Sequence, residues 1–291
     1  MSEYRGRFAP SPTGRLHFGS LVAAVGSYLQ ARRHAGVWLI RMEDIDPPRE
    51  EAGAAIAILD TLASFGLASD EPVLFQSTRA DDYAEALASL RHAGWTFDCG
   101  CSRRNLPRGG IYPGTCRNGL PPGRRPRSIR VRVNSTRITV PDAVQGNFAQ
   151  DLATDVGDFI VRRADGLTAY QLAVVVDDDY QGITEVVRGS DLLSSTPRQV
   201  WLMDLLGFTR PAYAHLPIAV DEAGRKLSKQ TLAQPVDDES PAPALAAALD
   251  FLGHPPPPRL RKGPLRELWR FAESEWDLNQ VPRADSAPLP T

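Results

Sequence analysis

Short apolar runs alternate along the chain with longer stretches in which apolar residues return every three or four positions. Residues 4–9 read as a strand that breaks at Pro10-Ser11-Pro12-Thr13-Gly14, a turn-rich segment. From 20 to 34 small and apolar residues recur at helical spacing until Gly36 stops the run. The apolar run 37–42 predicts a buried strand, and 49–65 and 80–93 predict two further helices closed by Gly66 and Gly94. Strand, helix, strand, helix in quick succession predicts βαβ units and a parallel sheet. The rhythm fails over 99–128, which is rich in Gly, Pro, Arg and Cys and reads as an insertion. At 128–140 the alternation of Ile129, Val131, Val133, Ile138 and Val140 predicts a half-buried strand pair. The α/β pattern resumes over 159–162, 171–176 and 184–188, followed by a helix at 192–206 and a strand at 212–219. Beyond 234 comes a Pro- and acid-rich linker, then two modest helices at 242–252 and 265–276, and a tail over 282–291 expected to fray.

The 291 residues suffice for one large α/β domain or two smaller ones with a substantial core. No apolar run approaches the roughly 18 residues that a membrane span needs. Arg5 and Arg7 follow the start at once, with no apolar secretory segment, so a cytoplasmic protein with no membrane partner is expected, as a monomer. The net charge of −2 carries no global signature of nucleic-acid binding. A nucleic-acid partner would therefore be held by local patches, for which Arg103, Arg104, Arg124 and Arg125 are candidates; they read equally well as solvated loop charge. Of 33 basic residues only Lys226, Lys229 and Lys262 are lysines, and two of these fall in one short loop.

Three constellations carry chemistry. In the first, residues 7–20 take a strand end through a glycine-containing turn into a helix with His17-Phe18-Gly19-Ser20 at its start. Such a start points backbone N–H groups at an anion, and His17 can donate to a phosphoryl oxygen gaining charge. Alone, the same residues also fit a helix capped by Ser20 beside an incidental histidine. The second is Lys226-Leu227-Ser228-Lys229-Gln230, whose two ammonium groups suit a leaving pyrophosphate, although a solvated basic turn would look the same. The third is Cys99, Cys101 and Cys116, all the cysteines of the chain in one coreless stretch. Thiolates are strong zinc ligands and structural zinc is four-coordinate, so a fourth ligand is needed; water and His92 are the nearby choices.

Together these residues resemble the glutamyl-tRNA synthetase family of class I. Residues 7–20, with HFGS at 17–20, resemble its HIGH-containing signature, and 226–230 resembles KMSKS. Between them RMEDID (41–46), TAYQL (168–172) and EVVRGSDLL (185–193) look like the internal blocks of that family, in order. The resemblance covers roughly residues 5–232 and implies an α/β fold, a Rossmann-type doubly wound parallel sheet. It also implies a zinc-stapled insertion and a short helical C-terminal region. It implies ATP-dependent activation of glutamate, with Mg2+ accompanying the ATP. ATP would be held by His17, Gly19, Ser20, Lys226, Ser228 and Lys229, with His17 and Lys229 catalytic. Glutamate would be held by Arg7, Phe8, Ala9, Pro10, Ser11, Glu43, Tyr170 and Arg188. The chemistry agrees, because two guanidinium forks and one carboxylate complement two carboxylates and one ammonium. The sequence departs from the motifs at Ser20, Leu227 and Gln230, and the glutamine puts fine control of loop closure in question.

A short branch of that family, the glutamyl-queuosine tRNA(Asp) synthetases, is similar at C-x-C followed by Y-x3-C. In that branch the tyrosine oxygen completes one structural zinc site, which implies Cys99, Cys101, Tyr112 and Cys116 as ligands. Only about sixty residues follow Gln230, too few for a large anticodon-reading domain. The expected partner is then queuosine-modified tRNA(Asp), glutamylated at the anticodon loop after tRNA-free activation. A truncated enzyme charging a tRNA 3′ end and a non-catalytic nucleotide- or tRNA-binding paralogue are the alternatives. The expected organisation is a first catalytic half (1–98), a zinc-containing insertion (99–150), a second half with the KLSKQ loop (151–234) and a C-terminal region (235–291).

Overall fold

A computed structural model describes residues 3–102, 104, 111–221 and 235–289. The segment 226–230, with Lys226, Ser228 and Lys229, and Arg103 lie outside the described residues.

The first parallel block is β3-β2-β1, formed by β1 (Arg5–Phe8), β2 (Val37–Met42) and β3 (Leu74–Phe75). The second is β9 (Glu185–Gly189) beside β10 (Ala212–Leu216), again parallel. The blocks meet where the N–H of Thr184 donates to the Arg5 carbonyl at 2.9 Å, which sets β1 next to β9. Chain order reverses at that seam, and in open α/β sheets ligands bind at such a switch point, beyond the carboxyl ends of the strands.

Helices cover both faces, as a doubly wound fold requires. Trp38, Ile40, Met42, Val187, Ala214 and Leu216 pack into one core with α1 (Phe18–Arg33), α2 (Ala54–Ser64), α6 (Pro241–Phe251) and α7 (Leu265–Glu275). Leu39, Val186 and Tyr213, their neighbours along the strands, pack into the other with α3 (Ala80–His92), α4 (Tyr170–Tyr180) and α5 (Thr196–Leu206). The segregation follows from the two-residue period of a strand. Three further strands, β4 (Thr96–Cys99), β5 (Ser128–Val131) and β8 (Phe159–Arg162), form an antiparallel sheet. A hairpin of β6 (Arg137–Asp142) and β7 (Gly146–Asp151) joins β10 through one parallel register pair, Tyr213 with Asp142.

Several boundaries differ from the sequence expectation. The helix expected from residue 49 starts at Ala54, because Gly53 at φ +80° is outside helical backbone. The helix expected from 192 splits into a 3-10 turn (Ser190–Ser195) and α5, whose first turn contains Pro197. The tail expected to fray instead forms β12 (Ser286–Pro288), parallel to β11 (Ile218–Val220). Gln145 Nε2 donates to the Ala284 carbonyl at 2.9 Å and so helps tie this segment down.

Candidate active site

Strand alternation places Arg7, Arg41, Arg188 and His215 on the sheet face that α4 and α5 cover. Asp178 of α4 accepts from Arg7 through both carboxylate oxygens, at 3.0 and 3.3 Å, and from Arg41 at 2.8 Å. Burial works to raise Asp178, but the Arg7 and Arg41 guanidiniums outweigh it and hold the carboxyl below the usual range. Next to it on α4, Asp177 accepts from Gln76, Arg79 and Tyr83, each at 2.7 Å, and so anchors the helix from its other side.

Arg188 is held differently. Its Nε lies 3.0 Å from His215 Nε2, and one terminal nitrogen donates to Thr196 Oγ1 at 2.9 Å and Gln199 Oε1 at 2.8 Å. All these partners are neutral. Its other terminal nitrogen, NH1, is buried with no hydrogen-bond partner among the described residues. A buried guanidinium without a counter-charge is costly to keep unless something supplies one.

These side chains border a cleft of about 580 Å³. Strand β1 and the turn after it contribute Arg7, Phe8, Ala9, Pro10 and Ser11. The start of α1 contributes His17, Gly19 and Ser20. Glu43, just past β2, lines the cleft with Tyr170, the first residue of α4, and Arg188 of β9. Eleven expected site residues, scattered over 180 positions of sequence, therefore share one cavity at the switch point. His17 itself is the N-cap of α1, its Nδ1 accepting from the Ser20 N–H at 3.2 Å, so the helix starts two residues earlier than expected. The described chain on either side of 222–234 also reaches the cleft: Ile218 and Ala219 line it, and Pro235 makes a β-bridge with His17.

Glu43 faces Arg41, whose guanidinium lies 3.6 Å away. Burial pushes its carboxyl up to about 7 against the pull of Arg41 and Arg7. The Glu43 carboxyl is thus balanced between its two forms near neutrality. The sequence reading missed Arg41, Asp178 and the His215 contact. Its available signals were an arginine inside an apolar strand and the aspartate triplet that ends an apolar helix.

The cysteine cluster is a separate unit. The sulfur atoms of Cys99, Cys101 and Cys116 all lie within 4.8 Å of one another, buried, and none forms a disulfide. Cys101 and Cys116 are 3.8 Å apart, which matches the roughly 3.8 Å edge of a tetrahedron with zinc–sulfur bonds near 2.3 Å. Tyr112 Oη lies 3.5 Å from Cys99 Sγ and accepts from the Cys116 N–H at 2.8 Å, so it faces the same point. Gly157 permits this approach: at φ +73°, a Cβ there would lie 2.9 Å from the Tyr112 nitrogen. Burial opposes ionisation of Cys99, but hydrogen bonding to Tyr112, Cys101 and Arg130 brings its thiol down to about 7. Arg124 donates to Cys101 Sγ at 3.1 Å. The donor set fits a thiolate-rich cation site. His92 is exposed in the last turn of α3 and is not part of the cluster.

Comparison with known proteins follows the same outline. The family model for class I (E and Q) tRNA synthetases, catalytic domain, matches residues 3–109 and 120–245. A glutamyl-Q tRNA(Asp) synthetase of Dechloromonas aromatica is 55% identical over 99% of this chain and 99% of its own length. One from Aromatoleum aromaticum is 56% identical over 99% of this chain and 93% of its own. The crystal structure of the glutamate-tRNA synthetase of Elizabethkingia anophelis superposes with a TM-score of 0.83 at 25% identity, covering 99% of this chain and 68% of that one.

Proposed function

The chain belongs to the class I (E and Q) tRNA synthetase family, and from that footing we propose that it activates glutamate with ATP and transfers the glutamyl group to queuosine of tRNA(Asp). The charge pattern of the cleft carries the amino-acid half of this reading. One buried guanidinium lacks a counter-charge among the described residues, a second is tethered to Asp178, and one carboxyl stands at the ionisation threshold. Glutamate supplies the matching carboxylates and ammonium. The acceptor follows from the near full-length similarity to glutamyl-Q tRNA(Asp) synthetases.

In the first step a carboxylate oxygen of glutamate attacks the α-phosphorus of ATP. The bond to the bridging oxygen breaks, and pyrophosphate leaves. Arg188 and Arg7 fix the carboxylates and Glu43 takes the ammonium. His17 and the α1 N–H groups receive the phosphates, Ser228 contacts the ATP, and the ammonium groups of Lys226 and Lys229 neutralise the departing charge. In the second step a hydroxyl of the queuosine cyclopentenediol attacks the acyl carbon, loses its proton, and displaces AMP. Glutamate-dependent exchange of pyrophosphate into ATP is expected with no tRNA present. Exchange that starts only when tRNA is added would overturn the activation half.

The state of Glu43 sets a pH dependence. The ionised form binds the ammonium, so affinity rises with pH through 7. With the carboxyl near 7, about half is ionised at pH 7 and about a tenth at pH 6, so the glutamate KM should be about fivefold higher at pH 6. Burial pushes His215 below its usual value, which favours its neutral form. Glu43→Gln should bind glutamate weakly at every pH, with a flat profile between 6 and 8; a wild-type profile in that variant would rule out this origin.

Zinc in the cluster would be held by Cys99, Cys101, Cys116 and Tyr112, with Arg124 and Arg130 offsetting the excess thiolate charge. Its contribution is cross-linking a stretch that has little core of its own. Protein purified without chelator should carry one zinc per chain. Cys116→Ser should lose it and melt at lower temperature, while tRNA-free exchange persists, because no cluster residue lines the cleft. Metal-free protein by elemental analysis would contradict this.

A further inference from the structure

Asp142 and His215 are both fully buried, their side chains 0% exposed, and His215 Nδ1 lies 2.5 Å from Asp142 Oδ2. On the far side of the ring, His215 Nε2 faces the Nε of Arg188 at 3.0 Å. A guanidinium N–H only donates, so Nε2 must accept, and the imidazole proton must sit on Nδ1, directed at Asp142. Asp142 is the residue that makes this arrangement stable. It ends β6, in parallel register with Tyr213 of β10, and is fixed there by accepting from the N–H groups of Val144, Gln145 and His215. Gln145 then donates to the His215 carbonyl at 2.8 Å, so the same turn holds the histidine by side chain and backbone.

We infer that Asp142 and His215 are positioning residues for glutamate recognition: Asp142 fixes the histidine tautomer, and the imidazole holds Arg188 by an acceptor that carries no charge. The physical gain lies in that neutrality. A carboxylate placed directly against Arg188 would form an ion pair and compete with the carboxylate of the substrate. That is the situation of Arg7, whose fork Asp178 already occupies. An imidazole inserted between Asp142 and Arg188 directs a lone pair at the guanidinium, polarised by the carboxylate behind it, and leaves the positive charge for the ligand. Thr196 and Gln199 extend the same logic on the other edge of the fork, since both accept without charge. The terminal nitrogen of Arg188 that has no partner among the described residues is the direction left for the ligand.

This inference rests on the glutamate reading, and Asp142→Asn separates the two. Asparagine keeps an oxygen for the Val144 and Gln145 N–H groups but turns an NH2 toward His215 Nδ1. The ring then carries its proton on Nε2, donor against donor with Arg188. Nitrogen-15 NMR of the histidines, with His215 assigned by its loss in His215→Gln, should show the Nδ1–H tautomer in the parent and the Nε2–H tautomer in Asp142→Asn. In tRNA-free exchange the glutamate KM of Asp142→Asn should rise about tenfold, with the ATP KM unchanged. His215→Leu, which leaves the Asp142 turn intact, should lose about the same factor. His215→Gln, whose amide oxygen can accept from Arg188, should recover most of it. Adding Asp142→Asn to His215→Gln should cost nothing more, because the aspartate acts through the ring. If Asp142→Asn does not fold, the leucine and glutamine variants decide. Glutamate-dependent exchange by the parent secures the underlying reading. Against that background, a parental glutamate KM in Asp142→Asn or His215→Leu, or equal losses in His215→Leu and His215→Gln, would overturn the positioning role.

Discussion

Replacing Arg188 with methionine is expected to lower kcat/KM for glutamate-dependent exchange by about 10²–10⁴-fold, yet to leave the melting temperature close to that of the parent. Both halves follow from how Arg188 is held. Its guanidinium is buried among neutral acceptors, and one terminal nitrogen has no partner among the described residues. In the free protein the charge therefore has only neutral acceptors to set against its desolvation; methionine fills similar volume and removes that cost, which offsets the loss of a donor for His215, Thr196 and Gln199. In the complex the same charge meets a carboxylate in a water-poor pocket, where a lost charge-assisted pair costs about 3–5 kcal/mol. Most of the loss should appear in the glutamate KM, because the contact forms on binding. Arg7→Met provides the contrast. It leaves buried Asp178 with Arg41 as its remaining guanidinium, so it should lower the melting temperature as well as activity. Activity assays beside calorimetry distinguish these outcomes. An Arg188→Met protein that melts far below the parent, or binds glutamate normally, would contradict the assignment.

Much of this architecture was legible in the sequence because it rests on periodicity. The apolar run of β2 and the helical spacing of α1 both reflect burial, and burial is what hydrophobic pattern records. Strand β3, two residues long, and β4, four residues long, are too short to express a period. Strand β12 reads as tail because Ser286, Ala287 and Pro288 have no strand character of their own; the edge of β11 supplies the pairing. The site divides in the same way. Residues inside recognisable blocks, such as Arg7, His17, Glu43 and Arg188, were found from the family resemblance, and the fold gathers them into one cleft. Asp178, Asp142 and His215 were not found, since a buried charge or imidazole is intelligible only with its partner in view. Nothing in the local sequence of His215 reveals that Asp142, 73 positions earlier, accepts a hydrogen bond from its ring.

The second large effect concerns the acceptor. The cyclopentenediol of queuosine presents neighbouring cis hydroxyls, as a terminal ribose does, so one adenylate geometry can serve either nucleophile. The near full-length similarity to glutamyl-Q tRNA(Asp) synthetases favours queuosine of tRNA(Asp). Basic side chains outside the cleft, such as Arg124 and Arg125, are candidates for phosphate contacts, which would make transfer fall steeply with added salt. Without the diol there is no nucleophile at that base, so the difference between acceptors should be close to all or none. The most direct test supplies radiolabelled glutamate and ATP with tRNA(Asp) from cells that make queuosine and from cells that cannot, then digests the product and maps the label. Label confined to the anticodon arm of the queuosine-containing tRNA is the result expected here; equal labelling of both tRNAs, or label on the 3′ terminal fragment, would contradict it.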